Sequence, residues 1–350
     1  MKKILRSKNI LLHSVPSYKK YRMIAETIYK RFLLICGMLC VLLTAFTEEI
    51  VIGSWNIRGN GHFEEQEIIQ FGTYFVTNKS LDVLALQEVK LELLPKPGSN
   101  DIYKTIDSNN FLERFAQTLS KQTGTIWKFT SSAEYAIRKN IDEYTYCNKG
   151  LDNAVLYRAD KLTVQDLYSG HPFYFDNFEK SNYKTNMNNT NVLKIKNVSQ
   201  TSVFYLINKH MPFKSKQKGW GPWDRDIQVL YRMYQILDSN APIIICGDFN
   251  GDASELGTIF SDCFVGCRKP TSVSTNLFNS VARYAHEYDH FILNIAATQQ
   301  VVNEPSRYTS DPDIVTGQIR YGHKSTTLEY FYEHISDHVP IFMSIDIGNF

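Results

Sequence analysis

The chain has 350 residues, 43% of them hydrophobic, and a formal charge of +2 from 38 Lys+Arg and 36 Asp+Glu. That near-balance divides unevenly: residues 1–47 hold nine basic residues against Glu26 alone, a local charge of +8, and the remaining 303 residues hold 29 basic and 35 acidic ones, a charge of −6. The acidic body excludes a domain that holds nucleic acid by bulk charge, the apolar and aromatic content excludes a disordered chain, and the length suits one large domain or two small ones.

Phe32 to Phe46 (FLLICGMLCVLLTAF) carries no charge and is 15 residues long. A membrane span needs about 20 apolar residues, whereas the apolar region of a secretory signal is shorter and follows basic residues, here Lys30 and Arg31. Residues 1–47 are therefore expected to be a basic leader holding a signal peptide, with an uncleaved N-terminal anchor as the alternative. Met23 is an in-frame start just ahead of the apolar run, and no A-x-A pattern precedes Glu48. The body is expected to be exported (secreted or periplasmic), or membrane-associated if the leader stays. Of its four cysteines, Cys246 sits in an apolar run and reads as a buried thiol. Cys147 stands alone, and Cys263 and Cys267 are close enough to close a small loop in an exported protein. No Cys/His spacing fits a structural zinc.

Glu49–Trp55 (EIVIGSW) reads as the strand that opens the body. Helical spacing covers Phe63–Asn78, with Ile68, Ile69, Phe71, Gly72 and Phe75 on the buried face. Leu81–Leu86 (LDVLAL) is a short buried strand ending at Gln87-Glu88. A helix over Phe111–Gln122 and strands at Ala154–Tyr157 and Val203–Ile207 follow, and the Asn-, Lys- and Ser-rich stretch Phe178–Asn197 between those strands reads as a loop. Asp226–Leu237 is helical, Pro242–Cys246 is a buried strand, and Phe291–Leu293 and Ile341–Ile345 close the pattern as strands. Alternating strands and helices with no linker give an α/β (α+β) body, residues 48–350, folded as a single domain.

Five strands run into compact polar clusters: Trp55-Asn56, Gln87-Glu88, Asn208-Lys209-His210, Gly247-Asp248-Phe249-Asn250 and Ser336-Asp337-His338. A sixth, Tyr288-Asp289-His290, precedes a strand. A rigid sheet positions such ends, so the clusters are expected to converge. Asn56, Glu88, Asp248, Asn250 and Asp337 supply hard oxygen ligands or hydrogen-bonding amides that suit Mg²⁺, or Mn²⁺. His210 and His338 can move protons near neutral pH. Each cluster alone is an ordinary turn or cap; six in this order point to metal-assisted phosphoryl chemistry.

The ordered set S-W-N-I-R-G at 54–59, L-A-L-Q-E-V at 84–89, K-H-M-P at 209–212, C-G-D-F-N-G at 246–251, Y-D-H-F at 288–291 and I-S-D-H-V-P-I at 335–341 resembles the endonuclease/exonuclease/phosphatase superfamily, the DNase I-like fold. The resemblance implies a four-layer sandwich, two packed mixed β-sheets flanked by helices, with the site at one edge. It implies that Glu88 is the main metal ligand, with Asn56 supporting metal and phosphate and Asp337 a second metal-site carboxylate. By the same resemblance Asp248 orients or deprotonates the attacking water with Asn250 as its partner. His210 would contact the scissile phosphate and protonate the leaving group. His338 would be the general base or phosphate-binding histidine, and Asp289 would orient it; a carboxylate on one ring nitrogen fixes the tautomer and raises basicity.

The chain departs from the pattern of DNase-type members in more than one place; His290 follows Asp289 where several of them carry Arg. Those members place an Arg in a strand region corresponding roughly to Asn186–Lys196, and this chain has none there; Lys184, Lys194 or Lys196 are the substitutes on offer. A further catalytic Glu would fall near Glu134. Lys214–Arg225 (KSKQKGWGPWDR) interleaves basic residues with Trp220 and Trp223. Lys214, Trp220, Trp223 and Arg225 are thus candidates for binding phosphates and stacking on bases, or for a solvated loop whose Trp residues pack on the body. The expected function is a monomeric, exported, Mg²⁺-dependent phosphodiesterase acting on DNA or another phosphodiester, a DNase I-like endonuclease. The alternative is a phosphomonoesterase or phospholipid-directed enzyme, sphingomyelinase-like or phosphoinositide phosphatase-like.

Overall fold

The computed structural model describes residues 25–35, 48–58, 64–90, 94–95, 102–103, 111–132, 151–167, 190–199, 202–214, 221–267, 269–275, 282–308, 318–321 and 324–348. Met23, Glu134, Cys147, Lys184 and Trp220 lie outside them, as does most of the apolar run of the leader. The chain divides into two units, Met1–Thr47 and Glu48–Phe350. In the first, residues 25–35 are helical and expose Ile28, Tyr29, Phe32, Leu33, Leu34 and Ile35. Among the described residues no helix is long and apolar enough to cross a membrane.

The second unit is built on twelve strands in two sheets: β1 (Glu49–Asn56), β2 (Val83–Lys90), β3 (Trp127–Ser131), β4 (Leu151–Arg158), β5 (Leu162–Asp166), β6 (Thr190–Asn197), β7 (Val203–His210), β8 (Ile243–Asp248), β9 (Phe264–Gly266), β10 (Asp289–Leu293), β11 (Val301–Arg307) and β12 (Ile341–Asp346). One sheet runs β11-β12-β1-β2-β4-β3 and the other β9-β10-β8-β7-β6-β5. Each has a parallel pair at its centre, β1 with β2 and β8 with β7, flanked by antiparallel neighbours. A parallel pair ends both strands at the same edge, so each sheet presents two carboxyl-terminal ends side by side.

Three apolar layers separate the four structural ones. Alternate residues of a strand face opposite sides. Ile50 and Ile52 of β1 meet Phe204 and Leu206 of β7, Ile244 and Cys246 of β8, and Met343 of β12 between the sheets. The opposite parity, Trp55 with Leu84 and Leu86, packs under helices α1 (Glu65–Lys79) and α2 (Phe111–Thr123) through Phe71, Phe75, Phe115 and Leu119. Ile207, Ile243 and Ile245 pack under α3 (Pro222–Ile236) and α4 (Ala253–Ile259) through Ile227, Leu230, Met233 and Leu256. The second unit is thus an α/β four-layer sandwich of two mixed sheets flanked by helices.

One expectation is corrected. Residues 190–197, expected within a loop, form β6, paired with β7 from Thr190↔Lys209 to Lys196↔Val203. Val192, Leu193 and Ile195 are buried there, and the Asn and Lys residues around them mask that pattern. The suggested disulfide is likewise absent: Cys263 and Cys267 are free thiols, and Cys246 is a buried one.

The sheets are tied at one end by amides. Asn208 on β7 donates through Nδ2 to the carbonyls of Leu86 (2.9 Å) and Ala154 (3.1 Å) in the other sheet, and to Asn191 Oδ1 (3.0 Å). Its Oδ1 accepts from Gln87 Nε2 at 2.7 Å, and Gln87 Nε2 also reaches Ser54 Oγ at 3.1 Å. All are buried. Replacing Asn208 with Leu strands several buried polar groups at once, each worth about 1–3 kcal/mol when unsatisfied. Urea unfolding of Asn208→Leu should show a loss of about 3 kcal/mol or more; a loss under about 1 kcal/mol would show that the network is not a fastener.

Candidate active site

The site forms where the inter-sheet core opens at the shared edge of the two parallel pairs. Asn56 continues the inward parity of Ile50, Ile52 and Ser54. His210 continues that of Phe204, Leu206 and Asn208; Asp248 that of Ile244 and Cys246; and Asp289 that of Leu293 and Phe291. In the ladder Asp248 stands opposite both His210 and Asp289. Four inward-facing polar residues thus replace the apolar ones at one edge, Asn56, His210 and Asp248 as the last residues of their strands and Asp289 as the first of the antiparallel β10.

Glu88 reaches the same place by a different route. Regular alternation would turn it outward under the helices. A β-bulge between Leu86 and Val89 shifts the register, and Glu88 sits at φ 54°. Arg58 (φ 52°) and Asn250 (φ 48°) are also left-handed. This conformation costs an L-residue roughly 1–2 kcal/mol, less for Asn, whose side chain bonds locally. Such strain gathers where function fixes a side chain. Gly247 has φ 141°, and a Cβ there would lie 1.9 Å from the Lys209 carbonyl oxygen. The Gly of the Gly-Asp-Phe-Asn turn is therefore required by the close approach of β8 and β7.

The side chains form one chain of contacts. His338 Nδ1 lies 2.7 Å from Asp289 Oδ2, and His338 Nε2 lies 3.5 Å from Asp248 Oδ2. Asn56 Nδ2 donates to Asp248 Oδ2 at 2.9 Å and to Glu88 Oε1 at 3.3 Å. His210 Nε2 stands 3.4 Å from Glu88 Oε1 and 3.8 Å from Asp248 Oδ2. Asn250 donates its backbone N–H to Asp248 Oδ1 (2.9 Å) and its amide to the Met211 carbonyl (2.9 Å). The Ser-Asp-His segment is stapled to β1: Ser336 Oγ donates to the Asn56 carbonyl (2.6 Å) and accepts from His338 N–H (3.0 Å), and Trp55 Nε1 donates to the His338 carbonyl (2.9 Å).

Eight sequence-stated positions are thus accounted for. Asn56, Glu88, His210, Asp248, Asn250, Asp289 and His338 come together. Asp337 sits beside them with its carboxylate toward Arg58, Oδ2 to Nε 3.6 Å. The other described candidates lie elsewhere. Trp223 is 4% exposed in the outer layer and donates its indole N–H to the Phe249 carbonyl at 2.7 Å. It supports the Gly-Asp-Phe-Asn turn from behind and has no face open for stacking on a base. Lys214 pairs with Glu255 and lies 4.8 Å over the Trp223 ring. Arg225 lies in the first turn of α3. Lys194 and Lys196 sit on β6 opposite Tyr205 and Val203, toward the far end of the strand from His210. Lys209 belongs to the opposite parity from His210 and is fully buried against Asp226, Nζ to Oδ2 3.5 Å. Asn153, which donates through Nδ2 to the Asn208 carbonyl at 3.3 Å, Asn191, Ser54 and Arg58 are supporting residues to which motif reading gave no role. Ser54 and Arg58 both stood inside the quoted S-W-N-I-R-G motif, and strand parity was a further signal for Ser54.

The electrostatics separate the two histidines. Burial, the largest influence, holds the His210 imidazole below the usual histidine range, against the pull of Asp248. Burial acts the same way on His338, but there the charges of Asp289 and Asp248, the hydrogen bond to Asp289 and the charge of Asp337 together outweigh it. His338 is held well above the usual range. Asp248 is pushed up by burial, partly offset by His338. Two like groups in one site with opposite shifts divide acid from base roles.

Among the described residues no group of three His, Cys, Asp or Glu closes a metal cage. Mg²⁺ does not need one: it is commonly held by one or two carboxylates, waters and substrate phosphates. The donor set fits that pattern, because Glu88 and Asp248 present carboxylates to one space and the Asn56 amide bridges them.

The model of the Endonuclease/Exonuclease/phosphatase family matches residues 53–264, and the chain belongs to that family. Among solved structures, an endonuclease/exonuclease/phosphatase family protein from Bacteroides thetaiotaomicron is 13% identical (TM-score 0.51), covering 86% of this chain and 98% of that one. A Bacteroides vulgatus homologue of the fold is 12% identical (TM-score 0.51; 86% and 99% covered). Truncated Caenorhabditis elegans TDP2 is 14% identical (TM-score 0.50; 85% and 98% covered). At these identities the likeness carries the fold. A comparison with curated protein sequences finds no match.

The His338–Asp289 contact makes a signed statement about pH. A histidine whose folded value is raised stabilises the fold most below its unfolded value of about 6.5, and that contribution is lost as pH rises through the folded value. In chelator, the stability gap between the wild type and His338→Gln should be widest between about pH 4.5 and 6.5 and shrink above it. A gap that widens with pH would contradict the assignment.

Proposed function

We propose that the chain is a Mg²⁺-dependent phosphodiesterase of the DNase I-like type, cleaving DNA, exported or membrane-tethered through its basic leader. The observation that carries the reading is the unbroken contact chain Asp289–His338–Asp248–Asn56–Glu88, with His210 closing on both Glu88 and Asp248. Glu88, with Asp248 beside it, would hold the cation, which when bound would offset phosphate charge. Asp248, kept proton-attracting by burial, orients the attacking water and accepts its proton, while the Asn250 N–H fixes its other oxygen. His338, held as a cation by Asp289, stabilises charge growing on the phosphate. His210, held neutral by burial, hydrogen-bonds the phosphate or the leaving oxygen. Asp337 joins the site's negative charge from its place beside His338.

A phospholipid-directed enzyme is the second reading. It draws support from Phe213, 68% exposed three residues beyond His210, and from the exposed apolar side chains of the 25–35 helix. A panel of plasmid DNA, RNA, sphingomyelin vesicles and inositol phosphates with Mg²⁺, Mn²⁺ and chelator separates the readings. Plasmid nicking that needs Mg²⁺ and stops in chelator is the expected result; turnover of sphingomyelin alone would transfer the assignment. On the cleaved substrate, Asp248→Ala and His210→Ala should each lose about 10²–10⁴-fold in rate. Wild-type rates in both would sink the mechanism.

A further inference from the structure

We propose that Arg58 is the guanidinium that grips the substrate phosphate, and that Asp337 is the anion holding it in place until a phosphate arrives. The inference rests on the reading of the site as a phosphoester-cleaving centre.

The site gathers Glu88, Asp248, Asp289 and Asp337, so an anionic substrate needs local cations as well as a metal. Lys184 lies outside the described residues, and the described lysines near the site are placed elsewhere or already paired. Lys194 and Lys196 lie down β6, Lys209 is buried on Asp226, and Lys214 is paired with Glu255. Arg58 stands two residues beyond Asn56, and its backbone N–H donates to Asn56 Oδ1 at 2.9 Å. Its left-handed backbone, φ 52°, turns the chain at the end of β1. The guanidinium lies 4.5 Å from the centroid of the Tyr332 ring, and Nη1 donates to the Tyr332 carbonyl at 2.7 Å. These two contacts fix the plane of the group.

Among the described residues the rest of the fork has no hydrogen-bond acceptor. Arginine offers five N–H donors. Among the described residues the Tyr332 carbonyl is the acceptor within hydrogen-bond reach of the guanidinium. Asp337 Oδ2 is 3.6 Å from Nε, a charge contact beyond hydrogen-bond length. The side chain is 27% exposed, so the fork opens to solvent at the rim of the site. A planar fork already oriented, facing a carboxylate it does not fully bond, matches two oxygens of a phosphate. It supplies, from just beyond β1, the guanidinium that residues 186–196 lack.

The test compares Arg58→Lys, Arg58→Gln and Arg58→Ala with the wild type on a short single-stranded oligonucleotide with Mg²⁺. In Arg58→Gln and Arg58→Ala, KM should rise at least about tenfold with a smaller change in kcat, and the slope of log kcat/KM against log salt should weaken by about 0.7, the loss of one phosphate contact on a single strand. Arg58→Lys should keep the salt slope and raise KM partway, because an ammonium supplies charge without the fork. A merely structural role would not move the salt slope. Inorganic phosphate with Mg²⁺ gives a readout without turnover: it should raise the melting temperature of the wild type and not that of Arg58→Gln. Unchanged KM and salt slope in Arg58→Gln, or an equal phosphate response in both proteins, would overturn the proposal. If the wild type cleaves nothing in the panel, the activity reading fails, and the phosphate melting comparison alone decides the role of Arg58.

Discussion

The structure depends on holding two sheets in register at one edge. Apolar contact between sheets is non-directional and would tolerate sliding. Hydrogen bonds from Asn208 to Leu86 O, Ala154 O and Asn191 are directional and do not. They lie in the buried interlayer, where an unmade bond is costly. The same residue fixes β7, which ends in His210, against β2, which carries Glu88. Separations such as 3.4 Å between Glu88 and His210 are set by this fastener.

The site is then a consequence of parity and strand direction. The central parallel pair of each sheet delivers two carboxyl ends to one edge, and inward parity aims Asn56, His210 and Asp248 at each other. Glu88 is the exception that a bulge and a left-handed backbone correct. The cost of that conformation is offset by the rest of the fold. Of the five left-handed non-Gly positions among the described residues, Arg58, Glu88 and Asn250 gather around the same few side chains, whereas Ser80 caps α1 and Cys267 follows β9.

Charge is arranged locally. The body is acidic as a whole, and its site is too. The carboxylates have specific companions: Asp289 on His338, Asp248 on Asn56, Asp337 facing Arg58. Two described members of the basic and aromatic stretch after His210, which resembled a nucleic-acid patch, are used differently. Trp223 closes the outer core behind the Gly-Asp-Phe-Asn turn, and Lys214 covers its ring.

Much of this was legible in the residues. Apolar runs marked β1, β2, β7, β8 and β12 within a few positions, and the polar clusters after them named Asn56, Glu88, His210, Asp248, Asp289 and His338. Strand β6 was not legible, because its Asn and Lys residues resemble a loop and only pairing with β7 organises them. The clusters also could not be split internally: Asn208, Lys209 and His210 look alike in sequence, yet one ties the sheets, one is buried on Asp226 and one enters the site. By itself the sequence determined the fold class, the opposed charges of leader and body, and which residue types stand at the strand ends, because those follow from local pattern and composition. Only the tertiary structure decided which of them meet, that Trp223 is core, and that Arg58 faces Asp337 beside His338, because those depend on register between sheets, on a bulge and on burial, which no local pattern encodes.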